Sequence, residues 1–508
     1  MFRHILSVGG FTLASRLTGF VRDIVMAAIM GTGLVADAFV VAQRLPNHFR
    51  AIFGEGAFNS AFVPTYSAAL ESRGREAASM LAGRLMMVLV LALGVLTALA
   101  IVFMPAFVAV LAPGFPDEPE KFALAVTLTR ITFPYLLFIT LVTLLSGVLN
   151  ADDRFAAPAA APILLNVAIV AALSVAWLFP TAGHAAAWGV AAAGVLELLL
   201  LMAAAKRAGC LPRPRALAMD KDMRVFFRTL GPAVIGSAGV QIAMFADTII
   251  ASLLPTGAVS SLYYADRLYQ LPVGVIGIAA GTVVLPTMSR RFAAGDFEGA
   301  RHAQNRAMAF TTALAAPFFV AFLLIPDLVM AALFMRGAFD QSSVLAAGAA
   351  LAAYGVGLPA VVLIRSAVAS FYARQDTATP LLASFSGIAV NLVLKLLLFR
   401  SMGAAGLALA TAVGAWVNFA LLAGLALRNG SMKPDTALRR TLVCVAAASA
   451  ALAVVAWLAG PPIAHWTSGL PKFRTEAEFA LLGGLGVIVY FAVLMAALNA
   501  SGVPWRRG

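Results

Sequence analysis

Runs of twenty or more apolar residues follow one another along almost the whole chain, separated by short turns rich in Gly, Pro and charge. A helix needs about 20 apolar residues to cross the hydrocarbon of a bilayer. About fourteen stretches meet that rule, from 5–30 and 35–66 at one end to 438–460 and 476–499 at the other. The pattern predicts an all-α polytopic membrane protein. With 62% of 508 residues hydrophobic and only 12% charged, a soluble multidomain enzyme is excluded, as is a disulfide-stapled secreted chain. The second stretch carries Pro46, Gly54, Gly56 and Pro64 and is expected to be bent or broken. Arg16 and Arg22 interrupt the first run, which reads as a retained helix, not a cleaved signal.

The formal charge of +13 would suggest nucleic acid in a soluble protein. Here loop position explains it. With a cytoplasmic N-terminus, about 22 cations fall in loops on the inner side against about five outside, among them Lys121. Shifting the number of spans by one scrambles this separation, so it supports an even count with both termini cytoplasmic. The rest lie inside spans: Arg16, Arg22, Arg44, Arg50, Arg84, Arg130, Arg267, Arg365 and Lys395.

Three stretches repeat at nearly one offset. Arg22-Asp23-Ile24 answers Ala246-Asp247-Thr248, Val63-Pro64-Thr65 answers Leu285-Pro286-Thr287, and the elbow from Asn150 to Pro158 answers Tyr372 to Pro380. Two parallel six-helix lobes follow, at 1–221 and 222–432, with two further helices at 433–508.

A charge at the centre of a span costs about 2.5–3.5 kcal/mol on insertion scales, so such residues face a partner or a cavity. The first two spans hold Arg16, Arg22, Asp23, Asp37, Arg44, Arg50 and Glu55. At 100° per residue Arg16 and Asp23 share a face, as do Asp37, Arg44 and Glu55, while Arg22 and Arg50 have no same-face carboxylate. Spare guanidinium groups suit a phosphate or diphosphate, which Arg binds bidentately; a purely structural ion network is the alternative. The five histidines make no metal spacing and no phosphate-loop or dinucleotide motif is present. Asp152-Asp153, the one acidic pair in a loop, is followed by Arg154 and makes a poor catalytic centre.

The stretch Ser15-Arg16-Leu17-Thr18-Gly19-Phe20-Val21-Arg22-Asp23, with Ala36-Asp37-Ala38-Phe39, Leu45-Pro46-Asn47, Gly54-Glu55-Gly56-Ala57-Phe58 and Ala61-Phe62-Val63-Pro64, resembles the MurJ (MviN) family of lipid II flippases. These belong to the multidrug/oligosaccharidyl-lipid/polysaccharide exporter superfamily. Tyr263-Tyr264-Ala265-Asp266-Arg267-Leu268 and the segment from Phe371 to Pro380 match as well. The resemblance implies fourteen helices, the last two shaping a groove for a lipid tail, and a cationic cavity for the undecaprenyl-diphosphate headgroup. It places the binding groups on Arg16, Arg22, Arg50 and Arg267, with Asp23, Asp37 and Glu55 nearby; Gln270 stands where some relatives carry an acid. A cation site described for some members falls on Asp247 and Asn391, but Lys395, one turn after Asn391, would put an ammonium there and take the place of bound sodium by pairing with Asp247. No cofactor is expected beyond coupling to membrane potential or a monovalent cation. The partners implied are lipid II, the phospholipid bilayer and cell-wall synthesis proteins, in the bacterial inner membrane. Two rivals are an exporter of another polyprenyl-linked saccharide and a drug/cation antiporter of the same superfamily. Four cavity arginines argue against the antiporter.

Overall fold

A computed structural model of the chain describes residues 2–50 and 57–502; Glu55, one of the expected site residues, lies outside them. Among the described residues the secondary structure is helical throughout, and nine helical stretches are long and apolar enough to cross a membrane. The first two helices, where charge is concentrated, are not among the nine.

The helices divide into two compact units. The first comprises 1–260 together with 336–339. It contains α1 (Phe2–Met30), α2 (Leu34–Arg50), α3 (Ala57–Val102), α4 (Met104–Leu111), α5 (Pro119–Thr132), α6 (Tyr135–Ala151), α7 (Ala156–Leu173), α8 (Ala182–Arg207) and α9 (Lys221–Ser252). The second comprises 261–335 and 340–508. It contains most of α10 (Ala258–Ala293), then α11 (Phe297–Leu324), α12 (Pro326–Phe334), α13 (Gln341–Tyr372), α14 (Ala378–Arg428), α15 (Thr436–Thr467) and α16 (Arg474–Ala500). The packing boundary at 260 does not coincide with the sequence-repeat boundary at 221, because α9 packs against α2, α3 and α4 of the first unit.

Local chemistry sets the helix ends. Asp220, Asp296, Asp340 and Asp435 each accept a backbone N–H from three residues on, so they start α9, α11, α13 and α15. Gly74 (φ 80°) and Gly403 (φ 56°) break α3 and α14 where a side chain would resist the left-handed backbone. The break in the second expected span falls between α2 and α3, and Pro46 is accommodated inside α2.

The internal repeat is written in the backbone. Left-handed residues occur at Gly74 and Gly295, at Asp153 and Gln375, and at Gly209 and Gly430, each pair 221 or 222 residues apart. Within the second unit α13 and α14 approach closely through small residues: a Cβ on Gly357 would lie 2.7 Å from Ala412 Cα, and one on Gly387 2.7 Å from Gly414 O.

Candidate functional site

Arg22 and Asp23 sit late in α1, 7% and 3% exposed. Arg22 Nη2 and Nε both donate to Asp23 Oδ1, at 2.7 and 3.0 Å. Its Nη1 donates to Asn166 Oδ1 at 3.0 Å from α7. Asn166 in turn donates to Ser15 O (3.0 Å) and Thr18 Oγ1 (3.1 Å), a fit that leaves Gly19 against its side chain. This corrects the helical-wheel expectation, in which Asp23 goes with Arg16 and Arg22 has no acid. Arg22 curls onto its neighbour because Asn166 holds the other edge of the guanidinium; Arg16 is exposed.

Asp37 is fully enclosed. Its Oδ1 accepts from Ser260 N (2.8 Å) and Ser260 Oγ (2.6 Å), and its Oδ2 from Gly257 N (2.8 Å). Asp37 therefore caps the start of α10 across more than two hundred residues of sequence. Lys121 Nζ lies 3.4 Å from Asp37 Oδ2, donates to Glu118 Oε1 (3.3 Å) and Thr256 Oγ1 (2.9 Å), and rests 4.4 Å from the Phe115 ring centroid. Two expectations change here. Lys121, expected as an outer-loop cation, is 1% exposed. Asp37 does not share its carboxylate with Arg44, which instead donates to Thr248 Oγ1 at 3.2 Å. In this conformation Asp37 has no face left for a ligand.

Glu118 stands at the rim of this cluster, accepting from Thr256 Oγ1 at 2.6 Å. The Thr256 hydroxyl foremost, and the Lys121 charge after it, hold the Glu118 carboxyl below its ordinary range despite some desolvation.

Arg50 ends α2, half-buried, and lies within electrostatic range of Glu197 on α8. Glu197 is 1% exposed and accepts from Tyr135 Oη at 3.3 Å. Asp247 is half-buried on α9.

The second unit holds the remaining expected residues. The Arg267 guanidinium stacks 4.7 Å from the Tyr263 ring centroid, and Gln270 Nε2 donates to Asp266 Oδ1 at 3.3 Å. Lys395 is 2% exposed on α14, one turn after Asn391. A buried ammonium on the same helical face is poor company for a bound cation, so these residues do not fit a coupling-ion site. Among the described residues no group of three or more His, Cys, Asp or Glu could hold a metal. Asp152 pairs with Arg75 at 2.7 Å and with Arg154 at 3.5 Å, which occupies the loop carboxylate structurally.

An apolar cavity of about 370 Å³ opens in the second unit between α10, α11, α15 and α16. Leu271, Phe318, Phe322, Leu452, Phe479 and Val487 line it, with Gly483 and Gly486 on α16 leaving its wall thin.

The model of the family described as lipid II flippase MurJ matches residues 26–472. The chain belongs to the MurJ lipid II flippase family. A probable lipid II flippase MurJ of Rhizobium meliloti is 40% identical, with 100% of this chain and 96% of the relative covered. A lipid II flippase MurJ of Burkholderia cenocepacia is 38% identical over 100% and 98%. A solved structure of lipid II flippase MurJ in an inward closed conformation aligns with a TM-score of 0.80 at 23% identity, over 97% of this chain and 99% of that one. This MurJ chain is thus a multi-pass protein of the bacterial inner membrane. Its charge patterning did not reveal Asn166, Lys121, Glu118 or Glu197 as partners; Asn166 and Glu197 were signalled only as a lone amide and a lone carboxylate inside apolar runs, and Glu118 and Lys121 read as loop beside Pro119.

Proposed function

We propose that this chain is a transporter, not an enzyme: it moves lipid II from the inner to the outer leaflet of the inner membrane by alternating access. Membership of the family along nearly the whole length carries this reading. The guanidinium groups of Arg16, Arg22, Arg50 and Arg267 are the ones we assign to the diphosphate and headgroup, since their forked donors match phosphate oxygens. Asp23 and Asn166 hold Arg22 in one orientation, so its cost of ordering is met before substrate arrives. The polyprenyl tail, which has no polar atoms to satisfy, suits the apolar cavity walled by α15 and α16.

Both termini are taken as cytoplasmic on the loop-charge bias. Export of an anionic headgroup from a negative-inside cell is favourable by about 2.3 kcal/mol per charge per 100 mV, so membrane potential alone supplies a drive without a cofactor. Lys395 brings to Asn391 the positive charge that a monovalent cation would otherwise carry. Cell-wall synthesis proteins would act on the product at the outer leaflet.

The test is depletion of the protein in its bacterium, complemented by Arg22→Ala, Arg50→Ala or Arg267→Ala, with lipid II headgroup accessibility read on the outer leaflet. Accessibility should vanish with each variant while the protein stays in the membrane. Normal export by all three would overturn the assignment.

A further inference from the structure

The two sequence repeats turn the same corner with connections of different length. α8 ends at Arg207 and α14 at Arg428, and each is followed by a left-handed glycine, Gly209 or Gly430. In the second repeat Asp435 starts α15 five residues after Gly430. In the first, Asp220 starts α9 eleven residues after Gly209, so six residues are present that the turn itself does not require.

The longer connection is held against α3. Arg75 Nη1 donates to Ala208 O (3.3 Å) and Gly209 O (3.4 Å), Pro212 is buried, and the Arg213 carbonyl passes so close to Gly83 that a Cβ there has no room. At the far end Arg84 pairs with Asp220 and Arg73 with Asp222. These anchors engage both acids between 208 and 228. Five cations remain in that stretch: Arg213, Arg215, Lys221, Arg224 and Arg228. All are exposed, and among the described residues their side chains make no hydrogen bond or ion pair. Interleaved with them, Leu217 and Met219 are 57% and 58% exposed, and Val225 is exposed as well. From Leu211 to Met219 no backbone N–H donates to another backbone group among the described residues, so contact with α3 alone fixes this stretch.

An acidic protein surface would satisfy the cations but leave Leu217 and Met219 in water. A bilayer surface suits both, with phosphate oxygens for the cations and the acyl boundary for the apolar side chains. The connection also leaves the end of α8, a helix long and apolar enough to cross the membrane, which sets it at headgroup level.

We propose that the connection from Arg213 to Arg228 is a docking surface for anionic phospholipid headgroups of the adjoining leaflet. It fastens to the bilayer the segment that joins the two sequence repeats. The inference needs neither the transport reaction nor the headgroup arginines.

The test is millisecond hydrogen exchange of the full chain in phosphatidylcholine nanodiscs and in nanodiscs that mix phosphatidylcholine with phosphatidylglycerol. The amides of 213–219 should exchange more slowly with phosphatidylglycerol present, and high sodium chloride should cancel the difference. Arg213→Gln/Arg215→Gln should reduce the protection about fivefold or more, since each cation near an anionic surface changes partitioning by about that factor. Leu217→Ser/Met219→Ser leaves every charge in place and should reduce it too. Both variants keep the Asp220 and Asp222 anchors, and unchanged exchange within α8 shows that they fold. Arg439→Gln, an exposed cation on α15, should respond as wild type does. Equal exchange in the two nanodiscs, full protection in both double variants, or equal loss in Arg439→Gln would overturn the site. Polyglutamate added to phosphatidylcholine nanodiscs should not protect the segment; protection equal to that from phosphatidylglycerol would overturn the lipid and point to an acidic protein.

Discussion

Replacing Asp37 by Ala should be the most damaging single change in the first unit outside its apolar core. The carboxylate is fully enclosed, accepts three hydrogen bonds of 2.6–2.8 Å, and stands 3.4 Å from an ammonium that is 1% exposed. Removing one partner of a buried pair leaves the other charged and desolvated, at a cost of about 3–5 kcal/mol. Lys121→Met should cost less, about 1–3 kcal/mol, since Asp37 keeps its three donors. The double variant Asp37→Ala/Lys121→Met strands neither charge, so it should be more stable than the sum of the singles by about 1–3 kcal/mol. Denaturant titration of the four proteins in the same detergent, as a double-mutant cycle, measures this directly. A loss under about 1 kcal/mol for Asp37→Ala, or additivity within about 0.5 kcal/mol, would refute the reasoning.

Other consequences can be checked in the same preparations. Asn166→Leu removes the amide on α7 that ties down Arg22 and the Ser15 carbonyl of α1, and should cost about 2 kcal/mol, read by denaturation, with lipid II export falling alongside. Glu118 has its folded pKa depressed, so it adds stability above its unfolded pKa and loses it as pH falls through the lower folded value. Glu118→Gln should flatten that acid limb of the stability curve, and an unchanged limb would speak against the Thr256 contact. Gly114→Ala places a Cβ 2.2 Å from Ser252 O, a backbone atom, and should lower stability by about 1–3 kcal/mol. Gly483 has open space around its Cβ, so Gly483→Leu should fold normally while narrowing the apolar cavity. Its expected signature is loss of transport at unchanged melting temperature.

Helix content and the internal repeat were visible in the chain because both depend on local pattern. Apolar runs bounded by Gly and Pro specify spans, and the elbows at 150–158 and 372–380 recur with the same left-handed residue in the middle. Pairing within the site was not visible for a physical reason. A helical wheel sets Arg22 and Asp23 about 100° apart, yet a long guanidinium stem can bend to its neighbour once Asn166, from a helix 144 residues away, fixes the far edge. Lys121 follows Glu118-Pro119 and looks like loop; only the fold shows that Phe115, Asp37 and Thr256 close over it. Where the packing boundary falls was equally hidden, because α9 belongs to the second half by repeat and to the first unit by contact.

The bond between Arg22 and Asp23 joins adjacent residues, so it is complete as soon as the first helix leaves the ribosome. Asn166 emerges 144 residues later, roughly seven to thirty seconds at ordinary synthesis rates. During that interval the nascent segment must enter lipid alone, and an arginine that carries its own counter-charge enters more nearly neutral than one waiting for a distant acid. Moving the aspartate elsewhere, even to a position that could reach Arg22 in the finished molecule, would therefore burden biogenesis before it touched transport.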